Sequence, residues 1–193
     1  MAYRSLTRAG DPGAPTLVML HGTGGDKESF ATLAPMLAPG AGVLSLDGDV
    51  LEGGAQRFFR RTGEGVYDMP DLARRTAQLA TFLDAHAPGE AVGVGYSNGA
   101  NILANLAITG YRGLRRLVLM HPLIPFAPDW PDLTGIEVLV TAGERDPIGP
   151  RHVTQALIYG LRDAGAGVQA HWHPGGHELV DSEIAAARAF LAP

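Results

Sequence analysis

Three polar residues that lie far apart in the chain have the types and the order required for nucleophilic attack on a carbonyl group: Ser97, Asp146 and His177. Ser97 lies in the motif GYSNG, where an apolar, strand-like run changes into a helix-like run. Gly95 and Gly99 stand two residues away on either side. A serine hydroxyl is a weak nucleophile until a histidine takes its proton and a carboxylate orients that histidine. The three residues therefore predict acyl transfer through a covalent ester on Ser97.

The pattern G-x-S-x-G is a weak signal by itself in a chain with 26 glycines. It gains weight here because a strand-like run precedes it and a helical pattern follows it, which is the context that a nucleophile on a sharp turn needs. The two glycines allow the strand and the helix to approach closely, and they suit a strained backbone at Ser97. The alternative is that Ser97 only caps the helix that follows.

The acid and the base each have a competitor. Asp146 lies in GERDPIGP at the end of a strand-like run, where Glu144 is the other carboxylate and where an aspartate before proline could simply form a turn. We favour Asp146 as the acid. His177 lies in HPGGHEL, after the last strand-like run and at the start of the last helix, where the base follows in this order. His173 is the runner-up, although it alternates with His171 along a strand-like run and could be an ordinary packing or surface residue.

Acyl transfer also needs hydrogen-bond donors for the oxyanion that forms on the substrate. The backbone N–H of Asn98, directly after the nucleophile, is predicted to be one donor. The second is predicted to be the N–H of Thr23, in the glycine-rich loop LHGTGGD at residues 20–26. We expect His21 to brace this loop. A phosphate-binding loop is the alternative, but GTGGDKES lacks the spacing G-x-x-x-x-G-K-[ST].

Alternating strand-like and helix-like segments surround these motifs. The strand-like runs are 15–22, 41–48, 91–97, 115–122, 136–146 and 167–177, and the helical patterns are 70–87, 98–109, 150–163 and 178–191. Continuous apolar character indicates strands covered on both faces, and hence a parallel sheet. The order predicts a doubly wound α/β fold with helices on both faces of a mostly parallel sheet, in a single domain over residues 1–193. The segments 49–69 and 122–135 have no clear pattern and are expected to build the site.

The composition excludes several classes of function. The 193 residues carry a net charge of -5 and one lysine without any basic run, so we expect no nucleic-acid partner. The absence of cysteine excludes disulfides and cysteine-ligated metals. The chain has no apolar run of about 18 residues and no signal-peptide pattern, so we expect no membrane span and a cytoplasmic location. A homodimer is left open.

The histidines of HWHPGGH raise the alternative of a metal site. No clustered carboxylates accompany them in the sequence, and the serine arrangement accounts better for the last histidine of the motif. We therefore expect neither a metal ion nor an organic cofactor, and a small-molecule ester as the substrate.

Four motifs stand in order along the chain: LHGTGGD, GYSNGAN, GERDPI and GGHEL. Together they resemble the phospholipase/carboxylesterase family of α/β-hydrolases, above all its small bacterial carboxylesterase branch. The segment RFFRRTGEGVYDMPDL at 57–72 is similar to that branch as well. The resemblance extends over nearly the whole chain, and the combination of motifs is far more specific than any one of them.

The resemblance implies a minimal α/β-hydrolase domain in which Ser97, Asp146 and His177 form the catalytic triad. The N–H groups of Thr23 and Asn98 would form the oxyanion hole. The implied activity is the hydrolysis of carboxylic esters, often short-chain, without a cofactor. The same triad would also serve an acyl thioesterase or a lysophospholipase, and a non-catalytic binding protein with a hydrolase fold is a more distant alternative.

The segment 122–135, PLIPFAPDWPDLTG, is too short and too rich in proline to form a large lid of several helices. We therefore expect an open cleft and small esters as substrates. The candidate walls of the acyl pocket, for which packing onto the core is an equal alternative, are Leu123, Ile124, Phe126 and Trp130 on one side and Phe58, Phe59 and Tyr67 on the other. Three arginines could bind an acidic group of the substrate or simply face solvent: Arg57, Arg60 and Arg61.

Overall fold

The centre of the protein is a seven-stranded sheet. The computed structural model describes residues 3–63, 65–87 and 89–192. In chain order the elements are β1 (Ser5–Arg8), β2 (Thr16–Leu20), α1 (Lys27–Ala31), α2 (Ala34–Leu37), β3 (Gly42–Leu46), β4 (Val50–Glu52), β5 (Ala55–Arg57), β6 (Arg61–Gly63), β7 (Val66–Tyr67), α3 (Met69–His86), β8 (Ala91–Tyr96), α4 (Asn98–Ile108), β9 (Arg116–Met120), β10 (Glu137–Gly143), α5 (Arg151–Asp163), β11 (Gly167–His173) and α6 (Asp181–Leu191). The strand order across the sheet is β1-β3-β2-β8-β9-β10-β11, and every neighbouring pair is parallel except β1 with β3. The predicted α/β fold with a mostly parallel sheet is confirmed.

Two apolar cores lie on opposite faces of this sheet. In β2, Val18 and Leu20 belong to one core and Leu17 and Met19 to the other, as the alternation of side chains along a strand requires. Helices α3, α4 and α5 contribute to the first core, and α1, α2 and α6 to the second. A strand that is buried on both faces is apolar at nearly every position, which is why continuous apolar runs predicted these strands.

Several short elements were not predicted from the sequence. Strand β1 adds an antiparallel edge to the sheet, and α1 begins after Asp26, whose side chain accepts the N–H of Ser29 at 2.7 Å. The segment 49–69 forms two small hairpins, β4–β5 and β6–β7. The first hairpin turns at Gly53 and Gly54, with φ of 58° and 86°. Elements of two to five residues are too short to produce a periodic pattern.

Among the described residues, no helix has both the length and the apolar character needed to cross a membrane.

The loops that matter for chemistry leave the carboxyl edge of the parallel strands. Thr23 follows β2, Ser97 follows β8, Asp146 follows β10 and His177 follows β11. A further residue, His121, follows β9 at the same edge. Because the carboxyl ends of parallel strands meet at one edge of a sheet, the fold gathers residues that are far apart in the sequence.

Candidate active site

Ser97 occupies a strained turn between β8 and α4. Its φ of 50° and ψ of -116° lie in a region that residues other than glycine rarely adopt. The Ser97 N–H donates to the carbonyl of Met120 at 2.8 Å, and the Ser97 carbonyl accepts the N–H of Asn101 at 2.9 Å. The Ser97 side chain makes no capping hydrogen bond to α4. Its hydroxyl is therefore held at the turn without serving the helix.

The two flanking glycines allow the strand, the turn and the helix to approach closely. A Cβ atom on Gly99 would lie 2.1 Å from the carbonyl oxygen of Leu20, and a Cβ atom on Gly95 would lie 2.6 Å from the carbonyl carbon of Gly99. Both clashes are with backbone atoms, which cannot rotate away as a flexible side chain can. The close approach thus requires glycine at both positions.

The Gly99→Ala variant is expected to lose about 3 kcal/mol of the free energy of unfolding, because the added methyl group pushes α4 away from β2. Urea unfolding followed by circular dichroism measures this loss. The matched control is Gly167→Ala, where a Cβ atom would meet only the carbonyl oxygen of Ile136 at 3.9 Å. Equal unfolding midpoints for the two variants would show that the approach at Gly99 is not tight.

Two contacts join Ser97, His177 and Asp146 in a row. His177 Nε2 lies 2.9 Å from Ser97 Oγ, and His177 Nδ1 lies 2.6 Å from Asp146 Oδ2. An ionised carboxylate only accepts hydrogen bonds, so the contact with Asp146 assigns the proton of the neutral imidazole to Nδ1. The lone pair on Nε2 then faces the hydroxyl of Ser97. In this tautomer, His177 can accept the proton of the serine.

Asp146 is held by four donors, two on each carboxylate oxygen. Oδ1 accepts the N–H groups of Ile148 at 2.8 Å and Gly149 at 3.0 Å. Oδ2 contacts His177 and also His121, whose Nδ1 lies 2.9 Å away. Burial acts to raise the pKa of Asp146, but the hydrogen bonds from the Gly149 N–H and from the two imidazoles outweigh burial and hold the pKa below its ordinary value. The carboxylate is therefore ionised and fixed in orientation.

The competing acid and base make other contacts. Glu144 is exposed, and its carboxylate forms an ion pair with Arg151 at 3.0 Å. His173 is buried at the end of β11, where its Nε2 lies 3.4 Å from Glu183 Oε2. Neither side chain hydrogen-bonds to Ser97 among the residues that the structure describes.

The sequence patterns missed two buried residues behind Asp146. His121 has a φ of 52°, and Glu183, in the first turn of α6, is 0% exposed. His121 Nε2 lies 3.0 Å from Glu183 Oε1, which is an ion-pair distance, although the ring N–H is not aligned for a linear hydrogen bond. The position of His121 at the end of a parallel strand could have marked it as a candidate. Glu183 gave no such signal, since acidic residues are common in the first turn of any helix.

The cluster of His121, His173 and Glu183 also has the composition of a metal site, with ligand atoms within 4.8 Å of one another. However, the N–H of Gly175 donates to His173 Nδ1 at 3.1 Å. This contact requires the lone pair of His173 on Nδ1 and places the proton of the neutral ring on Nε2, the atom that would have to bind a metal. The arrangement therefore favours shared protons over a metal ion.

The glycine-rich loop after β2 is braced by His21. His21 Nε2 accepts the N–H of Gly48 at 3.0 Å, so Nδ1 carries the proton and donates to the carbonyl of Gly22 at 2.6 Å. Burial lowers the pKa of His21 and keeps the ring neutral, as this bonding pattern requires. Both ring nitrogens are thus occupied in positioning the loop, as the sequence predicted for His21.

The same loop brings Thr23 to the cleft over Ser97. Arg57 donates to Thr23 Oγ1 at 2.7 Å, and the N–H of Gly24 donates to the carbonyl of Gln56 at 2.9 Å. The N–H of Asn98 begins α4 and so has no acceptor within the helix. Thr23 and Asn98 line the cleft together.

The two residues that flank Ser97 fasten the turn to its surroundings. The hydroxyl of Tyr96 donates to the carbonyl of His177 at 2.7 Å, and Asn98 Oδ1 accepts the N–H of Phe58 at 2.7 Å. Burial raises the pKa of Tyr96 to about 12, so its hydroxyl stays a donor at neutral pH. Tyr96 therefore connects the loop that carries His177 with the turn that carries Ser97.

An open cleft of about 290 Å³ lies over Ser97. Its lining comprises Thr23, Arg57, Arg61, Gly65, Tyr67, Tyr96, Ser97, Asn98, Asn101, His121, Leu123, Ile148 and His177. Leu123 and Ile148 supply apolar contact. Arg57 and Arg61 share one carboxylate, that of Glu52, at 3.4 Å and 2.7 Å. This sharing neutralises part of the positive charge in the cleft.

One wall of the predicted acyl pocket lies only partly in this cleft. Leu123 lines the cleft, but Ile124, Phe126 and Trp130 line a separate cavity of about 500 Å³ against α5. Ile124 is buried in the core, and Phe126 and Trp130 pack against that core beside Leu157 of α5. Gly160 of α5 makes room for the indole, since a Cβ atom there would lie 2.3 Å from Trp130 Cζ2.

The other candidate wall of the acyl pocket, formed by Phe58, Phe59 and Tyr67, lies mostly outside the cleft. Phe58 and Phe59 are fully buried in the core, with their ring centroids 4.9 Å from His21 and 4.8 Å from Tyr67, respectively. Full burial of a phenyl ring is favoured over exposure in a water-filled cleft. Of the three aromatic residues on this side, Tyr67 lines the cleft. Among the three candidate arginines, Arg57 and Arg61 line the cleft, whereas Arg60 is exposed outside it.

Comparison with known proteins agrees with this fold. The Bacillus subtilis protein named "Putative hydrolase MhqD" is 40% identical over 179 residues, which cover 89% of this chain and 90% of the relative. A crystal structure of an Agrobacterium tumefaciens protein of unknown function is 52% identical, with a TM-score of 0.90 and coverage of 98% and 95% of the two chains. The Bacillus cereus carboxylesterase is 38% identical, with a TM-score of 0.93 and coverage of 98% and 93%. No model of a protein family matches the chain.

The sheet order and the residues gathered at its carboxyl edge define an α/β-hydrolase. More narrowly, the chain belongs to the phospholipase/carboxylesterase family of α/β-hydrolases, as its motifs predicted. Its relatives support an esterase-type hydrolase.

Proposed function

We propose that the protein is a serine carboxylesterase that hydrolyses short-chain carboxylic esters through an acyl-enzyme. The observation that carries the proposal is the row of contacts from Ser97 Oγ to His177 Nε2 at 2.9 Å and from His177 Nδ1 to Asp146 at 2.6 Å. The strained turn that presents Ser97 at the cleft supports the same assignment. Ser97 is the nucleophile, His177 the base, and Asp146 the group that orients the base.

In the first half of the reaction, Ser97 Oγ forms a bond to the ester carbonyl carbon while its proton passes to His177 Nε2. The carbonyl oxygen becomes an oxyanion, which accepts hydrogen bonds from the N–H groups of Thr23 and Asn98. Asp146 stabilises the imidazolium that has formed. The bond to the alcohol oxygen then breaks, and His177 returns the proton to this leaving group.

In the second half, water attacks the carbonyl carbon of the acyl-enzyme and gives a proton to His177 Nε2. The same two N–H groups stabilise the second oxyanion. The bond between the acyl carbon and Ser97 Oγ breaks, the serine takes the proton back, and the carboxylic acid leaves. No cofactor takes part in either half of this mechanism.

The dimensions of the site support small substrates. The cleft measures about 290 Å³ and is open to solvent, and the described chain has no helix between β9 and β10 that could cover it. Leu123 and Ile148 give a short acyl group apolar contact at the cleft. A long acyl chain would extend beyond these two side chains into water, so it would gain little from further methylene groups.

The test is a series of p-nitrophenyl esters together with an acyl thioester, a lysophospholipid and a fluorophosphonate probe. We expect turnover of the acetate and butyrate esters, a falling kcat/KM for long chains, and a probe adduct on Ser97. Absence of both turnover and adduct would point to a non-catalytic binding protein. A strong preference for the thioester or for the lysophospholipid would instead assign one of these activities to the same three residues.

A cytoplasmic location stays a prediction from the sequence, and fractionation of cells tests it. The sequence leaves a homodimer open, and light scattering of the purified protein determines the oligomeric state. The proposed reaction needs residues of one chain only, so an active monomer is compatible with it.

A further inference from the structure

A second row of buried groups continues from Asp146 into the core between β10, β11 and α6. Asp146 Oδ2 contacts both His177 Nδ1 at 2.6 Å and His121 Nδ1 at 2.9 Å. On the far side of its ring, His121 Nε2 lies 3.0 Å from Glu183 Oε1. The side chains of His121, Asp146 and Glu183 are at most 1% exposed. The proposed ester hydrolysis uses only the first part of this row.

The partners of the two carboxylates fix the charge of His121. Glu183 accepts the hydroxyl of Thr141 at 2.6 Å and the N–H of Val180 at 3.0 Å, so it is bonded as an ionised acceptor. A neutral His121 would turn one lone pair toward a carboxylate oxygen about 3 Å away, which is repulsive in a buried site. A doubly protonated His121 instead donates its Nδ1–H to Asp146 and places its positive charge at ion-pair distance from Glu183.

We propose that His121 and Glu183 are positioning residues of the hydrolase: Glu183 holds His121 as an imidazolium, and this imidazolium fixes Asp146 and opposes protonation of His177. The inference rests on the proposed roles of Asp146 and His177 in ester hydrolysis. Glu183 acts on Asp146 through His121, since its carboxylate contacts His121, His173 and Thr141.

The surroundings of His121 agree with a cation at this position. The titratable groups that face its ring from the neighbouring elements are Asp146 after β10, Glu183 on α6, His173 and His177 on and after β11, Tyr96 on β8, and the exposed Glu178 before α6. Burial alone would lower the pKa of His121, but its contacts with Glu183 and Asp146 outweigh burial and raise it. For Glu183, burial acts to raise the pKa, and the contacts with His121 and Thr141 reverse the direction and lower it.

The cation has a predictable effect on the pH dependence of hydrolysis. The ring centroids of His121 and His177 are 5.0 Å apart, and Glu183 lies on the far side of His121. The positive charge is therefore nearer to His177 than the negative charge of Glu183 is, and the pair disfavours a proton on His177. Loss of the cation makes protonation of His177 easier. The acidic limb of kcat/KM then moves to higher pH.

The experiment measures kcat/KM from about pH 5 to about pH 9 for the wild type, Glu183→Gln, His121→Asn and Asp181→Asn. We expect the midpoint of the acidic limb to rise by about 0.5 to 1 pH unit in Glu183→Gln and at least as much in His121→Asn. Asparagine tolerates the positive φ at position 121. The control Asp181→Asn removes the same charge from an exposed position of α6 and should leave the limb unchanged. Lower kcat with an unmoved limb in both variants would overturn the proposal.

A second readout does not depend on activity. Nitrogen-15 NMR of the imidazole rings should find both nitrogens of His121 protonated in the wild type at neutral pH, and a titrating or neutral ring in Glu183→Gln. A neutral His121 in the wild type would overturn the proposal even if Glu183→Gln fails to fold. If the wild type hydrolyses no ester, the proposed function fails, while the spectra still decide the charge state of His121.

Discussion

The Ser97→Ala variant is expected to lose at least about 10³-fold in kcat for p-nitrophenyl butyrate and to form no adduct with a fluorophosphonate. Removal of Oγ leaves His177 with no hydroxyl to deprotonate and the acyl group with no atom to bond. The N–H groups of Thr23 and Asn98 would remain, so a small residual rate over water is expected from stabilisation of the oxyanion alone. Steady-state kinetics and intact-protein mass spectrometry measure the two effects.

The fold of the Ser97→Ala variant should not change. The two hydrogen bonds that hold the turn come from the backbone of position 97, and the Ser97 side chain caps no helix. The matched control is Ser182→Ala, which removes an exposed hydroxyl 3.0 Å from His171. Both variants should keep the thermal midpoint of the wild type within a few degrees. Unchanged turnover in Ser97→Ala would refute the role of Ser97 as the nucleophile.

The parallel strands could be predicted from the sequence because burial on both faces leaves a strong compositional trace. In β2, Leu17 and Met19 face one core while Val18 and Leu20 face the other, so no position tolerates a polar side chain. The glycines around Ser97 were equally informative. A Cβ at Gly99 would lie 2.1 Å from a backbone oxygen, so the local geometry leaves little choice of residue.

The row behind Asp146 left no comparable trace. Glu183 has the appearance of a solvent-exposed acid at the start of a helix, and only the packing of α6 against β10 and β11 buries it beside His121. Such a contact depends on how two distant elements meet, which residue types and spacing do not encode. The sequence also could not predict which way the side chains of residues 57–59 point, because this too depends on contacts between distant elements. Short hairpins carry no periodicity, so Phe58 and Phe59 could face either the cleft or the core.

The Asp146→Asn variant is expected to lose about 10³- to 10⁴-fold in kcat. The N–H groups of Ile148 and Gly149, which donate to Asp146 Oδ1, would orient the amide with its oxygen toward them. The amide NH₂ would then occupy the place of Oδ2 and donate to His177 Nδ1, and the Nδ1–H of His121 would lose its acceptor. The proton of the neutral His177 ring would move to Nε2, where the ring could no longer accept the proton of Ser97. Kinetics of p-nitrophenyl butyrate at about pH 8 measure the loss.

The control for Asp146→Asn is Glu144→Gln, which changes the competing carboxylate of the same loop. Glu144 is exposed and pairs with Arg151 at 3.0 Å, so its replacement should leave kcat within about twofold of the wild type. A large loss in Glu144→Gln with a small loss in Asp146→Asn would assign the acid to Glu144 instead. The expected order follows from geometry, because of these two carboxylates only Asp146 lies within hydrogen-bond distance of His177 Nδ1, and the four donors around it fix its orientation.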